Sequence, residues 1–379
     1  MTALDVRNRL EAAMPFTPRA LALPGTVPFV GPEALERRFG RPFAARLGAN
    51  ESVFGPSPKV AEAMARAAAE SWAYGDPEHH DLKAAIAAHH GLLPENIVVG
   101  EGIDGLLGLL VQLTVDPGDA VVTSLGAYPT FNYHVNGRGG RLDFVPYQDD
   151  REDPEALAAR AREIRPKLIY FANPDNPTGS WHDRQTVERL MDGVPDGSIL
   201  VLDEAYADLA PAEALPDMSR LRPNVLRFRT FSKAYGMAGV RVAYAVGTPE
   251  TIRHFDKVRN HFGVSRMAQA GALAALGDQA FLNETVGRIA AARGRLAEIA
   301  RENGLAPLPS ATNFVAIDCG RDGAFARAVL DGVLARGVFI RMPGVAPLDR
   351  LIRVTVGRDR EMDLFAQALA GALRDLAGA

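Results

Sequence analysis

Short apolar runs rich in β-forming residues recur along this chain, with helix-length stretches between them. The runs are DAVVTS (Asp119–Ser124), KLIYFA (Lys167–Ala172), SILVLD (Ser198–Asp203), VLRF (Val225–Phe228) and VAYAVG (Val242–Gly247), with a shorter one at Ile97–Val99. Such continuous apolar runs read as strands covered on both faces. Val60–Ser71, Asp81–His90 and Asp104–Leu113 read as helices, the alanine-rich segments because alanine has the best helix propensity. Strand and helix in alternation predict an α/β fold, a mostly parallel sheet sandwiched by helices.

The last third changes character. A long helix over Glu284–Asn303 precedes a strand at Asn313–Ile317, a helix at Gly323–Ala335, strands at Val338–Ile340 and Ile352–Val356, and a closing helix over Arg360–Ala377. With 379 residues the chain exceeds one ordinary core. The expected division is a large unit over 46–265, a smaller C-terminal α/β unit over 266–379, and an N-terminal arm over 1–45 packing on the smaller unit.

Net charge is −4, which argues against nucleic acid or an anionic membrane as partner. No apolar run approaches the ~20 residues of a membrane helix. Arg7, Arg9, Glu11 and Arg19 interrupt any leader-like core, and Cys319 is the single cysteine. A cytoplasmic chain without an intrachain disulfide is expected. The histidine pairs His79–His80 and His89–His90 are sequence neighbours, which do not share a helix face, so no metal site is expected.

In an open α/β sheet, ligands bind beyond the carboxyl ends of the strands. The run ending at Ala172 leads into NPDNPTG (Asn173–Gly179), a loop made rigid by two X-Pro steps. The next ends in DEAYADL, placing Asp203 and Tyr206 at its tip, and the next in RTFSKAYG, placing Thr230, Ser232 and Lys233. Each has a plain explanation taken singly: an aspartate as helix cap, a surface lysine, a turn. Together they bring a carboxylate, a phenol, an amide, hydroxyls and an amine to one crevice. The stretch TFSKAYGMAGVR, Thr230–Arg241, holds no acid, so its cations, hydroxyls and glycines suit a bound anion.

GEGIDG (Gly100–Gly105) fits the G-x-G-x-x-G pattern of dinucleotide binders. A nicotinamide fold wants an acid at the end of the following strand, and Asp119 precedes that strand instead. The physics that remains is general: glycine lets a ligand approach the backbone, and a helix N-terminus offers free N–H groups to a phosphate.

NPDNPTG, DEAY, TFSKAYGMAGVR and RVTVG, in this order, resemble the fold-type I pyridoxal-phosphate enzymes, and more narrowly class I/II aminotransferases of the histidinol-phosphate aminotransferase type. ANESVFGPSP, YGDPE, GAYPTF and SATNFVAI agree, so the resemblance spans about residues 45 to 375. It implies pyridoxal 5'-phosphate as cofactor, an amino donor and a 2-oxo acid as substrates, and ping-pong transamination. Lys233 resembles the lysine that holds the cofactor as a Schiff base and moves the substrate proton. Asp203 resembles the carboxylate facing the pyridine nitrogen. Asn176 and Tyr206 resemble donors to the ring oxygen, and Tyr128 the aromatic stacked on the ring. Thr230, Ser232, Arg241 and the backbone of Gly102, Ile103 and Asp104 resemble the phosphate cradle. Tyr74 resembles the tyrosine reaching the phosphate from a neighbouring subunit, which implies a homodimer. Arg353, assisted by Arg341, resembles the group that grips the substrate's carboxylate or phosphate, with Asn50 and Phe54 beside it.

Phe54 and Phe262 stand where the histidinol-phosphate enzymes commonly carry tyrosines, and Ser52–Val53 replaces the usual Asn-Pro. The missing hydroxyls weaken the case for a phosphorylated substrate and strengthen that for an aromatic amino acid. A lyase or decarboxylase of the threonine-phosphate decarboxylase type is the alternative on the same scaffold, since cofactor motifs do not choose which bond breaks. A cofactor-sensing regulator would need a DNA-binding module, and the ~45 residues before ANES hold no helix-turn-helix.

Overall fold

The computed structural model describes residues 15–25 and 30–378. Residues 1–14, the start of the expected arm, lie outside the described residues. The strands, in chain order, are β1 (Ala45–Arg46), β2 (Ile97–Gly100), β3 (Ala120–Ser124), β4 (Arg141–Val145), β5 (Leu168–Ala172), β6 (Ile199–Asp203), β7 (Val225–Thr230), β8 (Ala243–Val246), β9 (Ala306–Pro307), β10 (Phe314–Asp318), β11 (Val338–Phe339) and β12 (Leu351–Thr355).

Seven of them form one sheet in the order β2-β8-β7-β6-β5-β3-β4. Every pairing is parallel except the two made by β8. The fold is therefore α/β with a mostly parallel sheet, as the sequence predicts. The apolar runs become β3, β5, β6, β7 and β8; β5, β7 and β8 are buried throughout. β4 and the helices Pro129–Arg138, Pro154–Ile164 and Arg184–Asp192 have no counterpart among the predicted elements.

Strand alternation assigns the faces. Leu168, Tyr170 and Ala172 of β5 join Val201, Leu226 and Phe228 in one core, under the helices Ile103–Thr114 and Pro129–Arg138. Ile169 and Phe171 join Leu200 and Leu202 in a second core, under the helices Pro154–Ile164 and Arg184–Asp192. The chain passes from β3 outward to β4, then back across β3 to β5. Strand order reverses there, and the loops leaving β3 and β5 must diverge, opening a crevice at their carboxyl ends.

A second sheet, β12-β10-β9, is antiparallel. It packs with the helices Gln279–Glu302 and Gly323–Ala335, and the helix Asp359–Ala377 packs on those two helices and on β1 and β11. The predicted long helix thus starts earlier, at Gln279. β1 pairs with β11, which draws the segment leading to Asn50 against this second unit. No described helix is long and apolar enough to cross a membrane.

Candidate active site

A cavity of about 800 Å³ opens at the carboxyl ends of β3, β5, β6 and β7. Lys233, Asp203, Tyr206, Tyr128, Asn176, Thr230, Ser232, Arg241, Ile103, Asp104, Asn50, Arg341 and Arg353 all line it. Residues far apart in sequence meet here because parallel strands send their exits to the same edge.

Asp203 ends β6 and is buried. Its Oδ1 accepts the Ala205 N–H at 2.9 Å and its Oδ2 accepts the Tyr170 hydroxyl at 2.7 Å. Burial pushes its carboxyl up to about 6, partly offset by the Tyr170 hydrogen bond. Opposite lies Lys233, whose Nζ donates to the Asn50 carbonyl at 3.0 Å and sits 5.5 Å from the Tyr206 ring centroid. Burial, then the charge of Arg353, lowers its ammonium to about 8. An amine whose neutral form is within reach at ordinary pH is suited to attack an aldehyde and to carry a proton.

Asn50 anchors this side. Its φ is +54°, and its Nδ2 donates to the Tyr206 hydroxyl at 2.9 Å. Thr355 holds it from β12, accepting the Asn50 N–H at 3.0 Å and donating to Oδ1 at 3.1 Å. Asn313 donates to the Asn50 carbonyl at 3.0 Å. Tyr170, Thr355 and Asn313 are site residues that sequence reasoning missed. The signal for two of them was present, since both motifs RVTVG and SATNFVAI contain them.

The phosphate-sized end is formed by the helix Ile103–Thr114, whose N-terminus has no side-chain cap. Gly102, at φ +86°, stands directly behind the Arg241 guanidinium, which a Cβ there would strike. Thr230 and Ser232 hydroxyls lie 2.9 Å apart beside it. Free amides, two hydroxyls and a guanidinium make an anion cradle. Tyr128 leads into the helix Pro129–Arg138 and donates to Asp104 at 3.3 Å. At the other end the Arg353 guanidinium donates to Asn176 Oδ1 at 2.5 Å and to the Gly48 carbonyl at 3.2 Å. Its Nε is buried without a hydrogen-bond partner among the described residues. Arg341 pairs with Arg353 through a backbone bridge, and its guanidinium stacks 5.5 Å from the Phe339 ring.

Three predicted residues do not line this cavity: Gly102 lies just behind its wall, against Arg241, and Tyr74 and Phe54 stand away from it. Tyr74 is 78% exposed, its ring 4.6 Å from that of Phe262. Phe54 packs against the large hydrophobic core, with the Arg288 guanidinium 6.0 Å from its ring.

The sequence pattern of the family described as "Aminotransferase class I and II" matches residues 45–369. The chain belongs to that family. This aminotransferase is 56% identical to histidinol-phosphate aminotransferase from Sinorhizobium meliloti, solved in complex with pyridoxal-5'-phosphate; the match covers 97% of this chain and 100% of that one, with a TM-score of 0.94. Histidinol-phosphate aminotransferase from Moorella thermoacetica is 35% identical over 341 residues, 89% of this chain and 87% of the relative. An aromatic amino acid aminotransferase from Nocardia farcinica is 39% identical over 340 residues, 87% and 92% respectively. The aminotransferase depends on pyridoxal phosphate, and its cavity fits that group: an amine for the aldehyde, a carboxylate at β6 for the ring nitrogen, and the anion cradle around Gly102 and Arg241.

Proposed function

We propose that this aminotransferase moves the amino group of a ring-bearing donor, histidinol phosphate first, to a 2-oxo acid in two half-reactions. The observation that carries the reading is the convergence of Lys233, Asp203 and Arg353 on one cavity. When bound, pyridoxal phosphate supplies an aldehyde for amino groups and an electron-withdrawing ring. Lys233 holds it through Nζ and, once displaced by the donor's amine, takes the proton from the donor's Cα and returns it to the cofactor side. Asp203 keeps the ring nitrogen protonated. Asn176 and Tyr206 orient the ring through its oxygen, and Tyr128 covers its face. Gly102, Ile103, Asp104, Thr230, Ser232 and Arg241 hold the phosphate.

Arg353, with Arg341 beside it, grips the donor's anionic group through a planar fork. A second donor class, aromatic amino acids, is favoured by Tyr133, Phe144 and Val345, apolar and exposed along the same cavity. We further propose a homodimer in the cytoplasm, with Tyr74 completing the partner's phosphate cradle, and a division into the 46–265 and 266–379 units with the 1–45 arm against the smaller one.

The test is a single half-reaction. Holoenzyme is mixed with histidinol phosphate, tyrosine or phenylalanine and no acceptor, and the carbonyl product is quantified. About one equivalent per subunit is expected from the true donor. Absence of product with every donor overturns the reading, and carbon dioxide release in its place would establish the decarboxylase alternative.

A further inference from the structure

Tyr170 is fully buried in β5, a strand whose other side chains are Leu, Ile, Phe and Ala. A tyrosine in such a place needs a partner for its hydroxyl. β5 and β6 are parallel, with Ala172 opposite Asp203 and Tyr170 opposite Val201. Tyr170, Ala172, Val201 and Asp203 therefore point to the same face. Tyr170 is one side-chain step back from the pair Ala172–Asp203, and alanine at 172 leaves the diagonal open. The phenol crosses it and donates to Asp203 Oδ2 at 2.7 Å, while its ring stacks on Phe131 at 4.8 Å and 21°.

We infer that Tyr170 is a positioning residue for Asp203: its hydroxyl fixes Oδ2 and spreads the carboxylate's charge, so that the proton stays on the cofactor's ring nitrogen. The inference rests on the proposed placement of Asp203 against that nitrogen. Without the phenol, the same carboxylate keeps the Ala205 N–H alone. A more basic carboxylate draws the shared proton to itself, the ring withdraws electrons less well, and Cα proton removal slows. Burial and the Asp203 charge hold the phenol's pKa well above its usual range, so it remains a donor at every working pH. Asp104 and Lys233 face Asp203, and Glu152 and Tyr128 face Tyr170, so the titration below is read against variants of the pair itself.

The experiment uses holoenzyme at saturating pyridoxal phosphate, as wild type, Tyr170→Phe, Asp203→Ala and the double variant. Phenylalanine retains the ring stack, and a thermal melt confirms folding. Tyr170→Phe is expected to lower kcat about tenfold, the worth of one hydrogen bond to a charged group, with KM nearly unchanged. The pH midpoint of the bound chromophore's colour change is expected to rise, and to rise no further when Tyr170→Phe is added to Asp203→Ala. A Tyr170→Phe titration and kcat equal to wild type overturn the inference. So does an undiminished shift in the Asp203→Ala background. If Asp203→Ala itself leaves the midpoint unmoved, the placement of Asp203 falls, and this inference with it.

Discussion

Lys233 and Asp203 are both displaced from their ordinary ionisation, in directions that oppose each other in the apoprotein. The lysine's ammonium comes down to about 8. Between that value and the ~10.4 of an unfolded lysine, the unfolded chain holds a proton that the folded one lacks. Stability from this group therefore rises with pH across the window and is lowest below pH 8. Lys233→Met removes the penalty. The apo variant is expected to melt above apo wild type at pH 7, with the gap closing as pH approaches 10; a gap independent of pH contradicts a buried, strained ammonium. The same substitution, or Lys233→Ala, is expected to cost several orders of magnitude in turnover, by loss of the group proposed to move the proton. Asp203, raised to about 6, penalises its own anion, so its contribution falls as pH rises from ~4 through 6. In the apo variant Asp203→Asn that fall should be missing from a melt series across this range.

At the scale of elements, the turns between strand and helix carry the demands that side chains alone do not reveal. Gly236, at φ +70°, lies so close to the Gly55 backbone that a Cβ would overlap it. Gly236→Ala is expected to destabilise by about 2 kcal/mol or more, through left-handed strain added to a backbone clash, as read by denaturant melts. Gly102→Ala is a different case, since its Cβ meets a flexible guanidinium. It should weaken pyridoxal phosphate binding at least tenfold while costing about 1 kcal/mol of stability, as equilibrium dialysis and apo melts would separate. The strand exits were legible because NPDNPTG, DEAY and TFSK each carry their polar residues next to an apolar run, within one local window. β4 was not, because RLDFV is an edge strand with Arg141 and Phe144 exposed, so no continuous apolar run marks it. The helix PTFNYHVNGR was missed for a related reason: asparagines and a glycine interrupt any apolar stripe. Tyr170 was illegible on other grounds. Its role depends on register between β5 and β6, which no local pattern contains, whereas Asn50 was found through resemblance while its support by Thr355 and Asn313 was not.

At the scale of the molecule, the cavity holds Lys233, Asp203 and Arg353 from one chain, yet Tyr74 stands 78% exposed beside Trp72 at 88%. Two large aromatics in water, one of them against the ring of Phe262, are an unfavourable surface for a lone subunit. If a second copy covers them and Tyr74 enters its phosphate cradle, each site draws from both chains, as a two-fold interface allows. Complementation then follows from counting. Lys233→Ala subunits lack the amine but offer Tyr74; Tyr74→Ala subunits lack the phenol but hold Lys233. In a mixed dimer one site is doubly defective and the other is whole. Each variant alone is expected to be impaired, Lys233→Ala nearly inactive and Tyr74→Ala about tenfold weaker in cofactor affinity, as for one lost charge-assisted hydrogen bond. Equal amounts denatured and refolded together give half mixed dimers, each with one whole site, so about a quarter of wild-type activity should return. Measured at limiting pyridoxal phosphate, where the Tyr74 variant is poorly loaded, recovery above the average of the two parents identifies a shared site. Activity equal to that average would show that each subunit works with its own residues alone, and Tyr74 would then lie outside the cradle.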